Sequence, residues 1–354
     1  MTDGATPPHK RRVRYSGTHP RQFQEKYKEL NPGAHADELE KVMQRGQTPA
    51  GTHRSICVDE ILAILNPQPG ECGLDATLGF GGHTRALLAR VLPGGHMVGL
   101  DVDSIELPRT RERLQALGFE PPALVLHHSN FSEIASFVPQ SGGGRGFDFI
   151  LADLGVSSMQ IDNPGRGFSF KLDGPLDLRL DPAQGQSASA LLQSVTRRRL
   201  SELLTDNADE PYAVVLAAAL QGQYLETTVQ LADLVRATLA GAFKKSMPEE
   251  ERLVETKKAL QRTFQALRIE VNNEFGVLDA LLHQLPGCLA PGGRVAILSF
   301  HSGEDRRVKK AFQTGERDGT YAKVAPDPIR ATWEERRANP RASSAKLRWA
   351  VRVG

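Results

Sequence analysis

The chain has 354 residues, 40% of them apolar and 24% charged, and 44 Lys/Arg against 42 Asp/Glu leave a formal net charge of +2. That composition supplies a sizeable core and excludes wholesale disorder, and the 33 glycines carry no Gly-X-Y period, which excludes collagen. No apolar run approaches the ~18 residues of a membrane span, Tyr212 to Leu220 being the longest, and the charged N-terminus lacks the apolar stretch of a secretory signal.

Residues 1–50 read as a basic extension. They are polar and proline-punctuated, with a short helix expected near Ala36 to Met43. Between His9 and Lys28 seven Lys/Arg face one acid, Glu25, and from Arg294 onward fourteen basic residues face seven acidic ones. Basic ends on an acidic body suit a polyanionic partner, since Lys and Arg displace phosphate counterions. A compact domain then begins. Val58, Ile61, Leu62 and Leu65 share one helical face, ended by Asn66-Pro67. Strands follow at Glu71 to Ala76, His96 to Leu100, Ala123 to Leu126 and Phe147 to Ala152. Helices intervene at Gly82 to Leu92 and from Asp103, where Glu106 completes a capping box, to Leu117-Gly118. Alternating strands and helices imply a parallel α/β sheet.

The alternation stops near Asp162. Residues 162–261 read as a helical insertion with apolar patches at Ala188 to Leu192, Arg198 to Leu204, Tyr212 to Leu220 and Leu231 to Leu239. The sheet domain, begun in 51–161, resumes over 262–354. Leu267, Val271, Phe275, Leu278, Leu282 and Leu285 mark one long helix, Pro291-Gly292-Gly293 turns into a strand to Ser299, Glu304 to Phe312 is helical and Lys346 to Val353 is a last strand. Cys57, Cys72 and Cys288 are too dispersed for a disulfide framework or a metal site, and nothing else has metal-ligand spacing.

Chemistry gathers in loops that follow strands. Leu74 to Thr84 contains Gly79, Gly81 and Gly82 between a strand and a helix, and the next strand ends in Asp101, placed to accept both hydroxyls of a ribose. Thr84 breaks the GxGxxG pattern and makes a pyrophosphate seat bulky, which favours S-adenosylmethionine over a dinucleotide. His83 is a ligand contact or a first-turn helix residue, and Phe131 is core or an adenine wall. Asp153 leaves the fourth strand, where a cationic ligand would stabilise its burial, followed by Ser157, Ser158 and Gln160. Arg166 to Phe170 and Asp173 to Arg179 mix aromatics, arginines and acids, either to recognise a base or to plug the loop onto the core. Ser299 to Arg306 follows the last parallel strand; Ser302 beside His301 lacks the GxSxG of a hydrolase. A nicotinamide-dependent dehydrogenase and a non-catalytic RNA-binding assembly factor are the competing classes.

Together Asp75 to His83, Asp153 to Ser158, Arg166 to Phe170, Gly174 to Asp177, Arg262 to Arg268, Pro291 to Arg294 and Ser299 to Ser302 resemble the 16S ribosomal RNA cytosine-N4 methyltransferase H (MraW) family, in order over Gly51 to Val353. The resemblance implies a class I Rossmann-like methyltransferase sheet with a helical insertion for RNA recognition. It also implies S-adenosylmethionine as donor and methylation of the N4 amino group of cytosine-1402 in the decoding centre. Small-subunit RNA or the 30S subunit would be the partner in the cytoplasm, with no membrane contact and with a homodimer as one state of assembly. By motif, Gly81, Gly82, His83, Asp101, Phe131, Asp153 and Gln160 would contact the donor. Asp153, His301 and Ser157 are the candidates near the reacting amino group, which needs in-line geometry and a proton acceptor. Gly303 stands where the family usually has Leu, and Met159 where it has Pro. With the basic extension, these departures look like a second subtype.

Overall fold

The computed structural model describes residues 55–141 and 143–354. The extension 1–50, including the helix expected there, lies outside the described residues.

Seven strands form one sheet: β1 (Cys72–Asp75), β2 (His96–Asp101), β3 (Leu124–His128), β4 (Phe147–Asp153), β5 (Leu289–Ser299), β6 (Tyr321–Val324) and β7 (Lys346–Arg352), in the order β3-β2-β1-β4-β5-β7-β6. β1 to β5 run parallel, while β7 lies antiparallel to both β5 and β6. Helices α1 (Val58–Leu65), α2 (Gly82–Val91), α3 (Glu106–Ala116) and α4 (Ser158–Asp162) belong to the first half. α5 (Ala188–Ser194), α6 (Arg197–Ala208), α7 (Ala213–Leu220), α8 (Thr228–Ala242) and α9 (Glu249–Val271) build the insertion. α10 (Glu274–Cys288), α11 (Ser302–Arg317) and α12 (Trp333–Ala338) complete the chain.

The central strands are largely apolar because both faces are covered. In β4, Phe147, Phe149, Ile150 and Leu151 are all fully buried, each burial worth roughly 1.5–3 kcal/mol. On one face Ile61, Leu65, Leu87, Leu88, Leu107 and Leu114 of α1 to α3 pack on Met97, Phe149 and Leu151. On the other, Leu278, Leu281 and Leu285 of α10 and Val308 and Phe312 of α11 meet Ile150, Val295 and Ile297, with Ile134 from a 3-10 segment, Phe131–Gln140. The insertion has its own core, in which Leu192, Leu200, Leu204, Leu216, Leu231, Val235 and Leu267 are buried. Its helices start where Ser187, Thr196 and Thr227 accept backbone N–H bonds.

Four expectations need correction. The long helix through Leu267 and Leu285 is two helices, because Asn273 takes the left-handed conformation (φ 47°) between α9 and α10. α9 runs unbroken across the expected boundary at 261/262. α11 extends from Ser302 to Arg317, and β6 was not foreseen. The Asp103–Glu106 capping box is only half formed. Asp103 Oδ1 accepts the N–H groups of Ile105 and Glu106, but its own N–H goes to Asp101 and the Glu106 side chain pairs with Arg109.

Candidate active site

β1, β2 and β4 are adjacent parallel strands, and each ends in an aspartate: Asp75, Asp101 and Asp153. The three carboxylates therefore share the carboxyl rim of the sheet, where ligands of open α/β folds bind.

Asp75 is the structural member. It is buried, and it accepts bonds from Thr84 Oγ1 (2.6 Å) and Thr77 N–H (3.1 Å), which tie the first turn of α2 to β1. Gly81, just before α2, has φ 76°, and a Cβ there would lie 2.8 Å from Leu114 Cδ1. The loop therefore closes against α3 only with glycine. Asp101 accepts Gly79 N–H on Oδ2 (2.7 Å) and Asp103 N–H on Oδ1 (2.8 Å). Each oxygen keeps lone-pair capacity for a diol. Burial, opposed by these two bonds and reinforced by Asp103 and Asp75, pushes its carboxyl up to about 6. Ser129 N–H bonds the Asp101 carbonyl (3.0 Å), so half-buried Phe131 opens the next segment beside this strand end.

Asp153 is the chemically exposed member. His83, 6% exposed, sits between Ile56 O (3.0 Å from Nε2) and Asp153 Oδ2 (3.5 Å from Nδ1). The Ile56 contact requires a proton on Nε2, so a charge-paired contact with Asp153 needs a second proton on Nδ1. Asp153 Oδ1 is shielded from solvent and has no hydrogen-bond partner among the described residues. Burial, reinforced by Asp75 and Glu304 and opposed by His83, pushes the carboxyl up to about 6. An orphaned carboxylate oxygen at the rim fits a cationic sulfonium donor and an amino-group substrate, and fits a second phosphate poorly.

His301 follows β5 and precedes α11. Its Nε2 lies within ion-pair distance of Glu304 Oε1 (3.2 Å) without a hydrogen bond of good geometry, and its Nδ1 has no hydrogen-bond partner among the described residues. Phe275 covers the imidazole, with ring centroids 5.7 Å apart, and Arg307 lies 4.3 Å over Phe275. Glu304 is buried; burial opposes its ionisation, but His301, the Phe300 N–H and Arg268 hold its pKa below the ordinary value. Arg268 grips both oxygens of Glu274 at 2.7 and 2.9 Å. Sequence reasoning named the Arg262 to Arg268 and Ser299 to Arg306 motifs and placed Phe275 on a helix face, but missed Glu304, Arg268 and Phe275 as a unit around His301.

Ser157 and Gln160 form a reciprocal capping box. Ser157 N–H donates to Gln160 Oε1 (2.7 Å) and Ser157 Oγ accepts Gln160 N–H (3.2 Å). Gln160 Nε2 also donates to Asp103 (2.7 Å). The Ser157 oxygen is thus committed to shaping the loop, as is most of the Gln160 amide. Asp103 further receives Arg166 Nη1 (2.7 Å), a pair in which both side chains are almost wholly buried. Phe168 is buried and Phe170 packs on Phe264 (5.4 Å), so both plug the loop onto the insertion core.

Two groups among the described residues bring three ligand-type atoms within 4.8 Å: Cys57/Glu60/Glu335 and Glu274/His301/Glu304. Burial pushes the Cys57 thiol up to about 12, and Arg268 already holds Glu274, so neither is a set of free ligands. Burial likewise pushes Cys72 to about 12 and Cys288 to about 11, which makes them inert core residues. No described helix is long and apolar enough to cross a membrane.

The strand order with the reversed β7, and the three aspartates at the carboxyl rim, are those of a class I S-adenosylmethionine-dependent methyltransferase. The chain belongs to the MraW methylase family, whose model matches residues 50–353. It is 53% identical over 357 residues to the Ribosomal RNA small subunit methyltransferase H 1 of Lachnoclostridium phytofermentans, covering 99% of this chain and 95% of that protein. It is 54% identical over 348 residues to the Ribosomal RNA small subunit methyltransferase H 2 of Alkaliphilus metalliredigens, covering 97% of each. The Ribosomal RNA small subunit methyltransferase H of Halorhodospira halophila is 38% identical and matches 86% of this chain and 95% of its own. The first two matches take in most of the N-terminal extension; the third falls short by about its length. The protein is a methyltransferase, and S-adenosylmethionine is its donor.

Proposed function

We propose that this enzyme methylates the N4 amino group of cytosine-1402 in small-subunit ribosomal RNA, in the cytoplasm. The names of its relatives support the RNA class. The observation that carries the chemistry is the buried, unpaired Asp153 Oδ1 at the rim, an acceptor awaiting a donor.

In this reading Asp101 holds the ribose hydroxyls, the backbone of Gly81 and Gly82 lines the methionine end, and Phe131 walls the adenine. Gln160 supports this side through Asp103. The donor supplies a methyl group on a positively charged sulfur. The target amine is a weak nucleophile because its lone pair is delocalised into the pyrimidine. An amine that took up that methyl group would have to shed one proton. Asp153 accepts it; a carboxyl near 6 is mostly ionised at neutral pH yet basic enough for the transfer. His83 orients Asp153. His301, fixed by Glu304 and Phe275, faces the other side of the base, and Ser157 holds the loop that carries Asp153. The base must leave any stack to reach this rim.

Mass spectrometry of nucleosides from small-subunit RNA tests the reading. N4-methylation at the target cytosine should vanish when the protein is removed and return with wild type but not with Asp153→Asn. RNA of unchanged composition, or loss of a carbon- or ribose-linked methyl group instead, refutes it.

A further inference from the structure

The segment 330–341 lies outside the chemistry described above, yet it is fastened to the same rim at two points. Glu335 Oε1 accepts the N–H of Cys57 (3.0 Å), next to the Ile56 carbonyl that holds His83. Arg341 Nη2 donates to Asp162 (2.8 Å), the last residue of the short helix that follows Asp153. Between these anchors α12 turns Glu335 inward and leaves Trp333 60% exposed. Arg337, one turn on, places its guanidinium 5.3 Å from the Trp333 ring. Arg330 and Arg336 are also exposed. A large exposed indole is costly in water, and a fixed aromatic flanked by arginines matches one kind of ligand well. The π-face takes a base and the guanidinium groups take the phosphates on either side of it.

We propose that Trp333, with Arg336 and Arg337, is a stacking platform for an unpaired nucleotide of the RNA substrate, adjoining the extruded target base. The inference rests on the RNA reading above and deepens it. A duplex offers no free base face, so the partner is single-stranded RNA. The anchors at Cys57 and Asp162 make the platform rigid relative to His83 and Asp153. Stacking there sets how far the neighbouring nucleotide stands from the methyl acceptor.

The test uses the full-length protein. Trp333 and Trp349 are the only tryptophans in the chain, so Trp349→Phe makes Trp333 the sole indole reporter. A single-stranded oligoribonucleotide spanning the decoding-centre target, titrated without donor, should quench that fluorescence. Trp333→Ala in the otherwise native chain should raise the dissociation constant for the oligonucleotide and for unmethylated small subunits roughly 5- to 100-fold. Its affinity for S-adenosylmethionine, measured by calorimetry, should stay within about twofold of wild type, which also shows that the variant is folded. Arg336→Gln with Arg337→Gln should flatten the salt dependence of RNA binding. Unquenched fluorescence with unchanged RNA affinity in Trp333→Ala overturns the proposal. Weakened subunit binding with no effect on the oligonucleotide overturns it too, and assigns the surface to a ribosomal protein. Absence of methyl transfer by wild type would instead count against the proposed reaction, since the binding arms are scored without turnover.

Discussion

Replacing Arg166 with Ala probes the joint between the donor side of the rim and the target loop. The Arg166 side chain is 5% exposed and its Asp103 partner 1% exposed. Its guanidinium donates to Asp103 Oδ2 (2.7 Å), to Leu180 O (2.7 Å) and to Arg179 O (3.3 Å). Removing one member of a buried pair costs about 3–5 kcal/mol, because the remaining charge stays desolvated. Asp103 keeps Gln160 Nε2 and two backbone N–H donors, which places the loss near the lower end, about 3 kcal/mol. With a urea m-value near 3 kcal/mol per M, the unfolding midpoint should fall by about 1 M with m unchanged. Adding Asp103→Asn to Arg166→Met should cost less than the two single changes together, since neither orphaned charge then remains. A midpoint shift under about 0.3 M for Arg166→Ala, or strict additivity in the cycle, would show that the pair is solvated and that the loop is held elsewhere.

Three further outcomes follow from the rim. Donor affinity should rise with pH, because burial pushes the Asp153 carboxyl up to about 6 and only its ionised form attracts the sulfonium; calorimetry from pH 5 to 7 should show roughly a tenfold gain, and a flat profile refutes the assignment. Without donor the sign reverses for stability: the folded values of Asp101 and Asp153 both lie above the ordinary ~4, so the folded chain holds extra protons between about pH 4 and 6 and its melting temperature should fall as pH rises through that window. Gly303→Leu should lower kcat by about 100-fold with donor affinity kept, because a Cβ there would lie 2.6 Å from Phe275 Cζ and 3.2 Å from His301 Nδ1; adding Phe275→Leu should recover part of the rate, and no recovery would mean that Phe275 does not position His301.

The sheet was legible because its central strands carry apolar runs of the kind that burial on both faces produces, three of them ended by aspartates. The break between α9 and α10 was not, since Val271, Phe275 and Leu278 keep helical spacing straight across it. Asn273 supplies the left-handed turn that periodicity cannot see. β6 escaped because only its two ends, Tyr321 and Val324, are buried, which leaves a pattern too short to register. At the rim, the aspartates and His83 could be picked out by their place after strands. Ser157 stood out as a candidate near the reacting amino group, but that its oxygen caps α4 was not legible, because the cap depends on where the Gln160 side chain folds back. The partnership of His301 with Phe275 and Glu304 was hidden for a similar reason, since Phe275 arrives from a different helix.

The insertion reaches the rim from two sides. On one, the loop after α4 brings Arg166 to Asp103, and Asp181 receives Ser104 Oγ (2.7 Å), so the exit of β2 is bonded to insertion residues. On the other, α9 carries Arg268 out of the insertion core to Glu274, beside Glu304 and His301, while Asn272 bonds Leu178 O (2.8 Å) and Leu180 N–H (2.7 Å). Asp101, which is bonded to Asp103 N–H, and His301 are therefore each one step from an insertion residue. A separately hinged recognition module would need exposed joints, whereas Arg166–Asp103 is buried and Arg268–Glu274 is largely so. Catalytic geometry tolerates errors of only about 0.5 Å. The insertion is thus bonded to the rim on both sides, and substitutions deep in its helical core should reach the rim through Arg268 and Arg166.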